Sequence, residues 1–231
     1  MKLLLAAVAG LSLIVGAGAR ANIIFSDKDT GGIGEVNILF DQAASGSPIF
    51  GQIDHSGVDV GFSSLTGQTL HTEGQGQADI EALPNPGLTE MTSINMIAQS
   101  GTAWEDVIIN LDDAGNPCGG GGNTCGTAHI TAIDNFGNAF HDDVLKDGNN
   151  FITAIASNGE FITSIQVVEL AGETNPLFGW TSFKQPRVSG ACILSGASCT
   201  PVEMPEPTTL AILASGLLGF GFGWLRHRWR R

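Results

Sequence analysis

The chain has 231 residues, 32 of them glycine, with 10 Lys and Arg against 23 Asp and Glu. Charged residues make up 14% of the chain, below the roughly 25% of an average globular protein, and the length suits one domain with appendages. Between Asn22 and Met204 there are 22 acidic and 4 basic residues. This balance excludes partners recognised through their phosphates, such as nucleic acid and anionic lipid headgroups.

The N-terminus has the pattern of a secretory signal peptide, which we place at residues 1–21. Lys2 precedes an apolar run over residues 3–15, and small residues lead to Ala19-Arg20-Ala21. A positive charge, a short apolar run and a small-x-small ending are the three parts of such a peptide. The run is short for a hydrocarbon core of about 30 Å, so a retained anchor is the weaker alternative. We expect cleavage after Ala21, with cleavage after Ala19 as the alternative.

Residues 22–200 are predicted to form an extracytoplasmic all-β domain, an antiparallel β-sandwich or jelly roll. Short β-like runs recur at roughly 8–12-residue spacing, separated by Gly, Asn, Asp and Pro turns. Asn158-Gly159 lies between two β-branched runs and predicts a type I′ hairpin, because both turn residues need φ > 0. Residues 134–138 predict a second turn. The predicted strands are 35–40, 48–53, 58–63, 68–72, 78–82, 91–98, 106–111, 127–134, 139–144, 150–157, 161–170 and 181–188.

The domain carries no recognisable catalytic motif. It lacks Gly-x-Ser-x-Gly, His-Glu-x-x-His and Cys-x-x-Cys, the motifs of common hydrolases and redox proteins. Its histidines, His55, His71, His129 and His141, stand singly along strand-like sequence. Adjacent acids in a strand point to opposite faces, so a sequential pair does not make a catalytic carboxylate pair. We therefore predict no catalytic residue, no cofactor and no enzymatic activity.

Calcium is the metal that the acidic residues of the sequence could hold. Loop carboxylates and backbone carbonyls supply the oxygen ligands that Ca²⁺ prefers. The segment from Asp27 begins like an EF-hand loop, but its last ligand position is Ile38 rather than Glu, so that motif fails. The candidate calcium ligands are Asp27, Asp29, Asp112, Asp113, Asp142 and Asp143.

Aromatic rings that stack on sugars are scarce, because the chain has no tyrosine. Trp104 and Trp180 are the tryptophans of the domain. Core packing is the favoured interpretation for both, and an exposed stacking platform is the alternative.

The four cysteines form two local pairs in sequence, with six residues between Cys118 and Cys125 and six between Cys192 and Cys199. Four cysteines in an exported chain predict two disulfides. Three connectivities exist, and local pairing is favoured because small loops close most easily. A four-cysteine zinc site is the alternative, but zinc ligands usually pair at shorter spacing.

The C-terminal region is predicted to hold a proline-rich linker (201–209), a transmembrane helix (210–225) and a basic tail (226–231). The apolar segment would rise about 24 Å as a helix, and snorkelling or bilayer thinning accommodates this length. Arginines stay on the cytoplasmic side of a membrane, so the domain lies outside. The arginines that set this topology are Arg226, Arg228, Arg230 and Arg231.

Pro205-Glu206-Pro207, a short Gly/Leu-rich apolar segment and a terminal arginine cluster follow one another in this order. This arrangement resembles the PEP-CTERM sorting signal of Gram-negative bacteria, although Met204 stands where the family usually has valine. The resemblance implies recognition by an exosortase, a membrane enzyme with a catalytic cysteine that cuts near Pro-Glu-Pro. It also implies a host that makes exopolysaccharide. The helix would then tether the precursor to the inner membrane only transiently.

These features together predict an exported protein that is released to the outer surface or the extracellular matrix. It would act by binding or structure, in association with exopolysaccharide or biofilm. Two alternatives stay open: a secreted polysaccharide-active hydrolase, and a permanently membrane-anchored protein without processing.

Overall fold

The computed structural model describes residues 22–27, 34–74, 76–83, 91–113, 127–145, 150–170, 180–196 and 198–202. Among these residues no helix is long and apolar enough to cross a membrane. Several sequence predictions fall outside the described residues: cleavage at Ala19 and Ala21, the side chains of Asp29 and Asp113, the Cys118 and Cys125 pair, the Pro205-Glu206-Pro207 motif, the apolar segment 210–225, and the arginines Arg226, Arg228, Arg230 and Arg231.

Eighteen strands make up the secondary structure of the described residues, and their pairings are antiparallel. In chain order they are β1 (Asn22–Ser26), β2 (Val36–Phe40), β3 (Ala44–Gly46), β4 (Ile49–Ile53), β5 (Asp59–Ser63), β6 (Leu70–Thr72), β7 (Gly76–Gln77), β8 (Asp79–Ala82), β9 (Ser93–Ala98), β10 (Thr102–Ala103), β11 (Asp106–Asp113), β12 (Thr127–Asp134), β13 (Ala139–Leu145), β14 (Asn150–Ser157), β15 (Ile162–Leu170), β16 (Trp180–Ser189), β17 (Cys192–Ser195) and β18 (Ser198–Pro201).

The strands divide into two large sheets and one small one. The first sheet has the order β1-β14-β11-β16, and β8, β6 and β3 continue it beyond β16. The second sheet has the order β4-β5-β9-β15-β12-β13. β2 joins the two, because its first residues pair with β16 and later ones pair with β4. β10, β17 and β18 form the small sheet.

One hydrophobic core lies between the two large sheets. The Phe62 ring of the second sheet packs edge-on against Phe183 of the first, with centroids 6.0 Å apart, and lies 5.8 Å from the Phe40 ring. Trp104 and Trp180 are 0% exposed, which confirms that both tryptophans belong to the core. Burial of such large apolar surfaces is the main favourable contribution to folding. The architecture is therefore a sandwich-like arrangement of antiparallel sheets, and the all-β prediction is confirmed.

Alternation of apolar and polar residues predicts the strands well wherever they are long enough. Each of the twelve predicted strands is present, with boundaries shifted by a residue or two. The strands missed by the pattern are β1, β3, β7, β10, β17 and β18, and five of these have four residues or fewer. A run this short holds too few residues for an alternating period to stand out.

The Asn158-Gly159 hairpin prediction is wrong about pairing, although the turn itself has the predicted conformation. Both residues have positive φ, 61° and 84°, as a type I′ turn requires. The flanking strands nevertheless belong to different sheets: β14 pairs with β1 and β11, whereas β15 pairs with β12 and β9. Since both edges of each strand are already occupied, the two strands cannot pair with each other. The turn is a corner between the sheets.

The other local predictions are confirmed where the structure describes them. Residues 134–138 turn between the paired strands β12 and β13. The Asp134 carboxylate holds this turn, because Oδ1 accepts hydrogen bonds from the backbone N–H of Phe136 and Asn138. Cys192 and Cys199 form a disulfide, with their Cα atoms 5.4 Å apart, across the β17–β18 hairpin.

Candidate functional site

The most exposed large apolar side chain of the described residues is Phe50, in the middle of β4. Ile49 and Ile53 of this strand are buried, whereas Phe50 points to solvent and is 62% exposed. Its partner on β5 is Gly61. A Cβ at that position would lie 3.4 Å from Cε1 of the Phe50 ring. The missing side chain of Gly61 therefore lets the ring lie against the neighbouring strand as a flat apolar surface.

Strand register extends this surface into a row across the second sheet. Residues that face each other in an antiparallel pair lie on the same side of the sheet, so the register defines the row from β4 to β13. Six strands at about 4.8 Å spacing give a width of about 24 Å. Ile97, two strands from Phe50, is 41% exposed and adds a second apolar group. The row consists of Phe50, Gly61, Ile97, Ser164, Ile133 and Ala139.

A second row runs parallel to the first and carries hydrogen-bonding groups. We call the two rows together the platform face. Asn95 in this row is 8% exposed, and its Oδ1 has no hydrogen-bond partner. Thr131 Oγ1 and His141 Nδ1 are hydrogen-bonded at 2.9 Å. The second row consists of Ser63, Asn95, Gln166, Thr131 and His141.

Polar side chains also border the Phe50 ring at the end of β4. Gln52 Nε2 donates a hydrogen bond to Asp59 Oδ1 at 2.9 Å. The Asp59 backbone N–H in turn donates to Gln99 Oε1 at 3.2 Å. These contacts hold two amide side chains beside an exposed aromatic ring. Such an arrangement suits a ligand that itself has an apolar face and polar edges.

Two histidines meet at the β12–β13 end of the platform face, to which His141 belongs. The His129 and His141 rings stack with centroids 5.1 Å apart, so the interpretation of the histidines as single, scattered residues is wrong for this pair. His129 Nδ1 lies 2.5 Å from Asp143 Oδ1. His141 uses its own Nδ1 for Thr131. The two rings therefore have separate partners and do not form one nucleophile–base–acid chain of the kind that hydrolysis requires.

The first sheet carries an acidic cavity of about 270 Å³, lined by residues from β6, β7, β8 and the loop after β6. Its charged lining includes Glu73, Asp79 and Glu81, with His71 opposite Glu81 in the β6–β8 pairing. Lys184 lies at its border, where Nζ is 3.8 Å from Asp79 Oδ2 and donates to Asp112 Oδ2 at 2.5 Å. The Asp112 hydrogen bond raises the pKa of Lys184, although partial burial opposes this shift.

The calcium candidates that the structure describes are not gathered into one site. Asp27 is exposed just after β1, and Asp112 is bonded to Lys184. Asp142 and Asp143 are neighbours on β13, and Asp142 lies opposite Ile130 while Asp143 lies opposite His129. Within the described part of the chain, no group of three or more His, Cys, Asp or Glu side chains is placed to hold a metal ion.

Comparison with known proteins identifies no family. No protein-family model and no curated protein sequence matches the chain. Among solved structures, a variant of Bacillus subtilis oxalate decarboxylase matches at 13% identity, over 68% of this chain and 34% of that one, with a TM-score of 0.15. Oxalate decarboxylase of Lactobacillus farciminis, in a formate complex, matches at 11% identity, over 80% and 52%, also at 0.15.

This chain thus spans between a third and about half of the enzymes it matches. Superposition at such TM-scores supports no argument about fold or activity. The class is defined by the chain itself: a sandwich-like domain of antiparallel sheets whose second sheet presents an aromatic and amide-bearing outer face.

The sequence does not single out Phe50 among the phenylalanines, and the two tryptophans are the rings that it allows to be weighed individually as platforms. A signal was nevertheless present: Phe50 occupies a solvent position in an alternating strand, between the buried Ile49 and Ile53. Its glycine partner could not be found, because register between β4 and β5 is a tertiary property.

Proposed function

We propose that this chain is an exported surface or matrix protein that binds exopolysaccharide through the platform face. The exposed Phe50 ring on Gly61 is the observation that carries the proposal. Sugar rings have apolar faces and hydroxyl edges, so they stack on a flat aromatic ring while amides and hydroxyls bond their edges. Gln52 lies two residues from Phe50 on the same face of β4, and Gln166 lies in the second row of the platform face. The role that we propose is binding rather than catalysis.

The negative charge of the domain limits the class of polysaccharide that the platform face can bind. The acidic excess of the domain repels polyanions, whereas a neutral polysaccharide meets no such barrier. A row about 24 Å wide, six strands at their usual spacing, is long enough for several consecutive sugar rings. We therefore assign the face to a neutral stretch of polysaccharide.

Delivery is the second part of the proposal, and it rests on the two chain ends. The signal peptide would direct export, and the PEP-CTERM-like segment would hold the precursor in the inner membrane until an exosortase cuts near Pro205-Glu206-Pro207. We expect the two prolines to favour an extended, unpaired motif, the form that a processing enzyme can bind. The released domain would then reach the outer surface or the matrix.

The intact mass of the protein purified from its own cells tests delivery. We expect a species that begins at Asn22 and ends near Pro205-Glu206-Pro207. Reduction should add about 4 Da if both local cysteine pairs are disulfides, since each bridge takes up two hydrogens. A species that still extends to Arg231 would contradict processing and favour the permanently anchored alternative.

Replacement of Phe50 by alanine tests binding. We expect affinity for the exopolysaccharide of the producing cells to fall about tenfold or more, because stacking contributes roughly 0.5–1.5 kcal/mol beyond area burial and the buried area of the ring is lost as well. Gly61→Val should act in the same direction by filling the space beneath the ring, whereas Gly61→Ala should be tolerated at its ordinary contact distance of 3.4 Å. Affinity electrophoresis in gels containing the purified polymer gives the measurement.

Phe136→Ala is the matched control for this series. Phe136 is 58% exposed but lies in the β12–β13 turn, outside both rows. Its replacement should leave binding unchanged. Equal binding by wild type and Phe50→Ala would contradict the platform. A fall in polymer viscosity during incubation would instead favour the hydrolase alternative and direct attention to the acidic cavity.

A further inference from the structure

Glu160 is a buried carboxylate that has no cationic side chain as a partner among the described residues. The residue is 4% exposed, and among the described residues the groups that face its carboxyl are the Asp134 carboxyl and the Asn22 backbone N–H. It follows the Asn158-Gly159 corner, and its backbone N–H donates to the Ser157 carbonyl at 3.3 Å. A buried anion without a counter-charge costs free energy. A carboxylate in this position therefore indicates that a cationic group binds beside it.

The neighbouring Asp134 adds a second buried carboxyl group to the site. Asp134 is 2% exposed and fully engaged in its own turn, with Oδ2 accepting from Asn138 Nδ2 at 2.7 Å. Burial and the Asp134 carboxyl raise the pKa of Glu160. Asp134 is the titratable group that acts on Glu160 among the described residues. Two acids thus lie together, and among the described residues no basic side chain pairs with Glu160.

The backbone nitrogen of Asn22 is the group that faces this site with positive polarity. β1 begins at Asn22, which pairs with Ser157 of β14. Ser157 Oγ donates a hydrogen bond to the Asn22 carbonyl at 3.0 Å and fixes the start of the strand. The Asn22 amide lowers the pKa of Glu160, in opposition to the effect of Asp134. The amide is neutral in the precursor, so its dipole compensates only part of the buried charge.

We propose that signal-peptide removal completes this site, because the α-ammonium group created at Asn22 is the ionic partner of Glu160. The proposal rests on the export proposed above. Hydrolysis of the Ala21–Asn22 peptide bond adds one water: the Ala21 carbonyl carbon takes the hydroxyl, and the Asn22 nitrogen takes the hydrogen and is protonated by solvent. The bond that breaks thus turns a neutral amide nitrogen into a cation beside the carboxylate.

This site distinguishes the two predicted cleavage points. Cleavage after Ala21 places the new ammonium on the nitrogen that already faces Glu160. Cleavage after Ala19 would leave Arg20 and Ala21 in front of Asn22 and would carry the new charge two residues away. The mature fold therefore stabilises one N-terminus over the other, and the precursor is the less stable form.

Two chains with defined N-termini test the inference, one beginning at Asn22 and the other retaining residues 19–21. Both extend to Arg231 and are kept in the same mild detergent. We expect the Asn22 chain to melt about 5 °C or more above the extended chain at pH 7, as the loss of one partner of a buried ion pair implies. Glu160→Gln should lower the melting temperature of the Asn22 chain but raise that of the extended chain.

The pH profile separates an ion pair from simple packing. The α-amine of an unfolded chain titrates at about 7.7–8.0, and pairing with Glu160 raises its folded-state pKa above that value. The advantage of the Asn22 chain is therefore complete only between the raised pKa of Glu160 and this range. It is lost as the pH falls through the Glu160 pKa, because the carboxylate is protonated, and as the pH rises through the folded-state pKa of the amine, by about pH 10. A difference that persists unchanged at pH 10 would overturn the ion pair.

Three further results would overturn the proposal: equal melting temperatures of the two chains at pH 7, the same effect of Glu160→Gln in both, or stabilisation of the extended chain by CaCl₂ that Glu160→Gln abolishes. The last result would assign the site to a divalent cation. N-terminal sequencing of the protein from its own cells tests export separately. A native chain that begins elsewhere overturns the cleavage, whereas an Asn22 terminus with equal melting temperatures overturns only the ion pair.

Discussion

Trp104→Ala should lower the free energy of unfolding by about 3–5 kcal/mol, the cost of truncating a large ring in a packed core. Trp104 is 0% exposed. Its backbone N–H and carbonyl both bond Ile162, at 2.9 and 2.7 Å, so it lies where β10 of the small sheet meets β15 of the second sheet. Loss of the ring should therefore loosen both sheets. Urea unfolding followed by circular dichroism gives the measurement.

Trp104→Phe is the informative comparison for this site. The indole Nε1 of Trp104 is buried and has no hydrogen-bond partner among the residues that the structure describes, so replacement by phenylalanine removes an unsatisfied donor as well as part of a ring. We expect a smaller loss, about 1–2 kcal/mol. Phe50→Ala, at an exposed position, should stay within about 0.5 kcal/mol of wild type. Equal stability of wild type and Trp104→Ala would contradict the core position.

Arg187→Met should destabilise the domain by about 2–3 kcal/mol, less than a fully buried ion pair because solvent screens part of the charge. Arg187 Nη1 donates to Glu35 Oε2 at 2.9 Å, and the two side chains are 22% and 13% exposed. The guanidinium also lies 5.8 Å from the centre of the Phe151 ring. Loss of the guanidinium removes this ion pair from a Glu35 carboxylate that is largely shielded from water. The carboxylate lies where β2 begins to pair with β16.

A double-mutant cycle isolates this interaction. Glu35→Gln removes the carboxylate, so Arg187→Met in that background should cost less than in wild type. The difference between the two costs, from urea unfolding of four proteins, is the coupling energy. A coupling near zero would mean that the contacts of the guanidinium with other groups, including Phe151, account for the whole loss.

Local predictions succeeded where the physical cause lies within a few residues. Positive φ at Asn158 and Gly159 follows from the residue types themselves. The turn at Asp134 follows from a short carboxylate that bonds its own backbone. Closure of the Cys192 and Cys199 loop follows from its small size. Each of these depends on neighbours in the chain and needs no knowledge of the sheet.

The same reasoning failed for the pairing of β14 with β15. A turn of the right type brings two strands close, but it does not oblige them to share hydrogen bonds. β14 finds β1 on one side and β11 on the other, and β15 finds β9 and β12. Which strands pair along their edges depends on how much apolar surface the whole sheet buries. The Asn158-Gly159 turn therefore connects two sheets instead of two paired strands.

By itself, the sequence determined the all-β class, the positions of the longer strands and the burial of Trp104 and Trp180, whereas the terminal segments on which the export proposal rests stay predictions. The tertiary structure alone decided that Phe50 lies on Gly61, that His129 stacks on His141 and that Glu160 faces Asn22. The reason is physical. Alternation and turn preference act between neighbours in the chain, whereas register and sheet order bring together residues that local sequence does not relate.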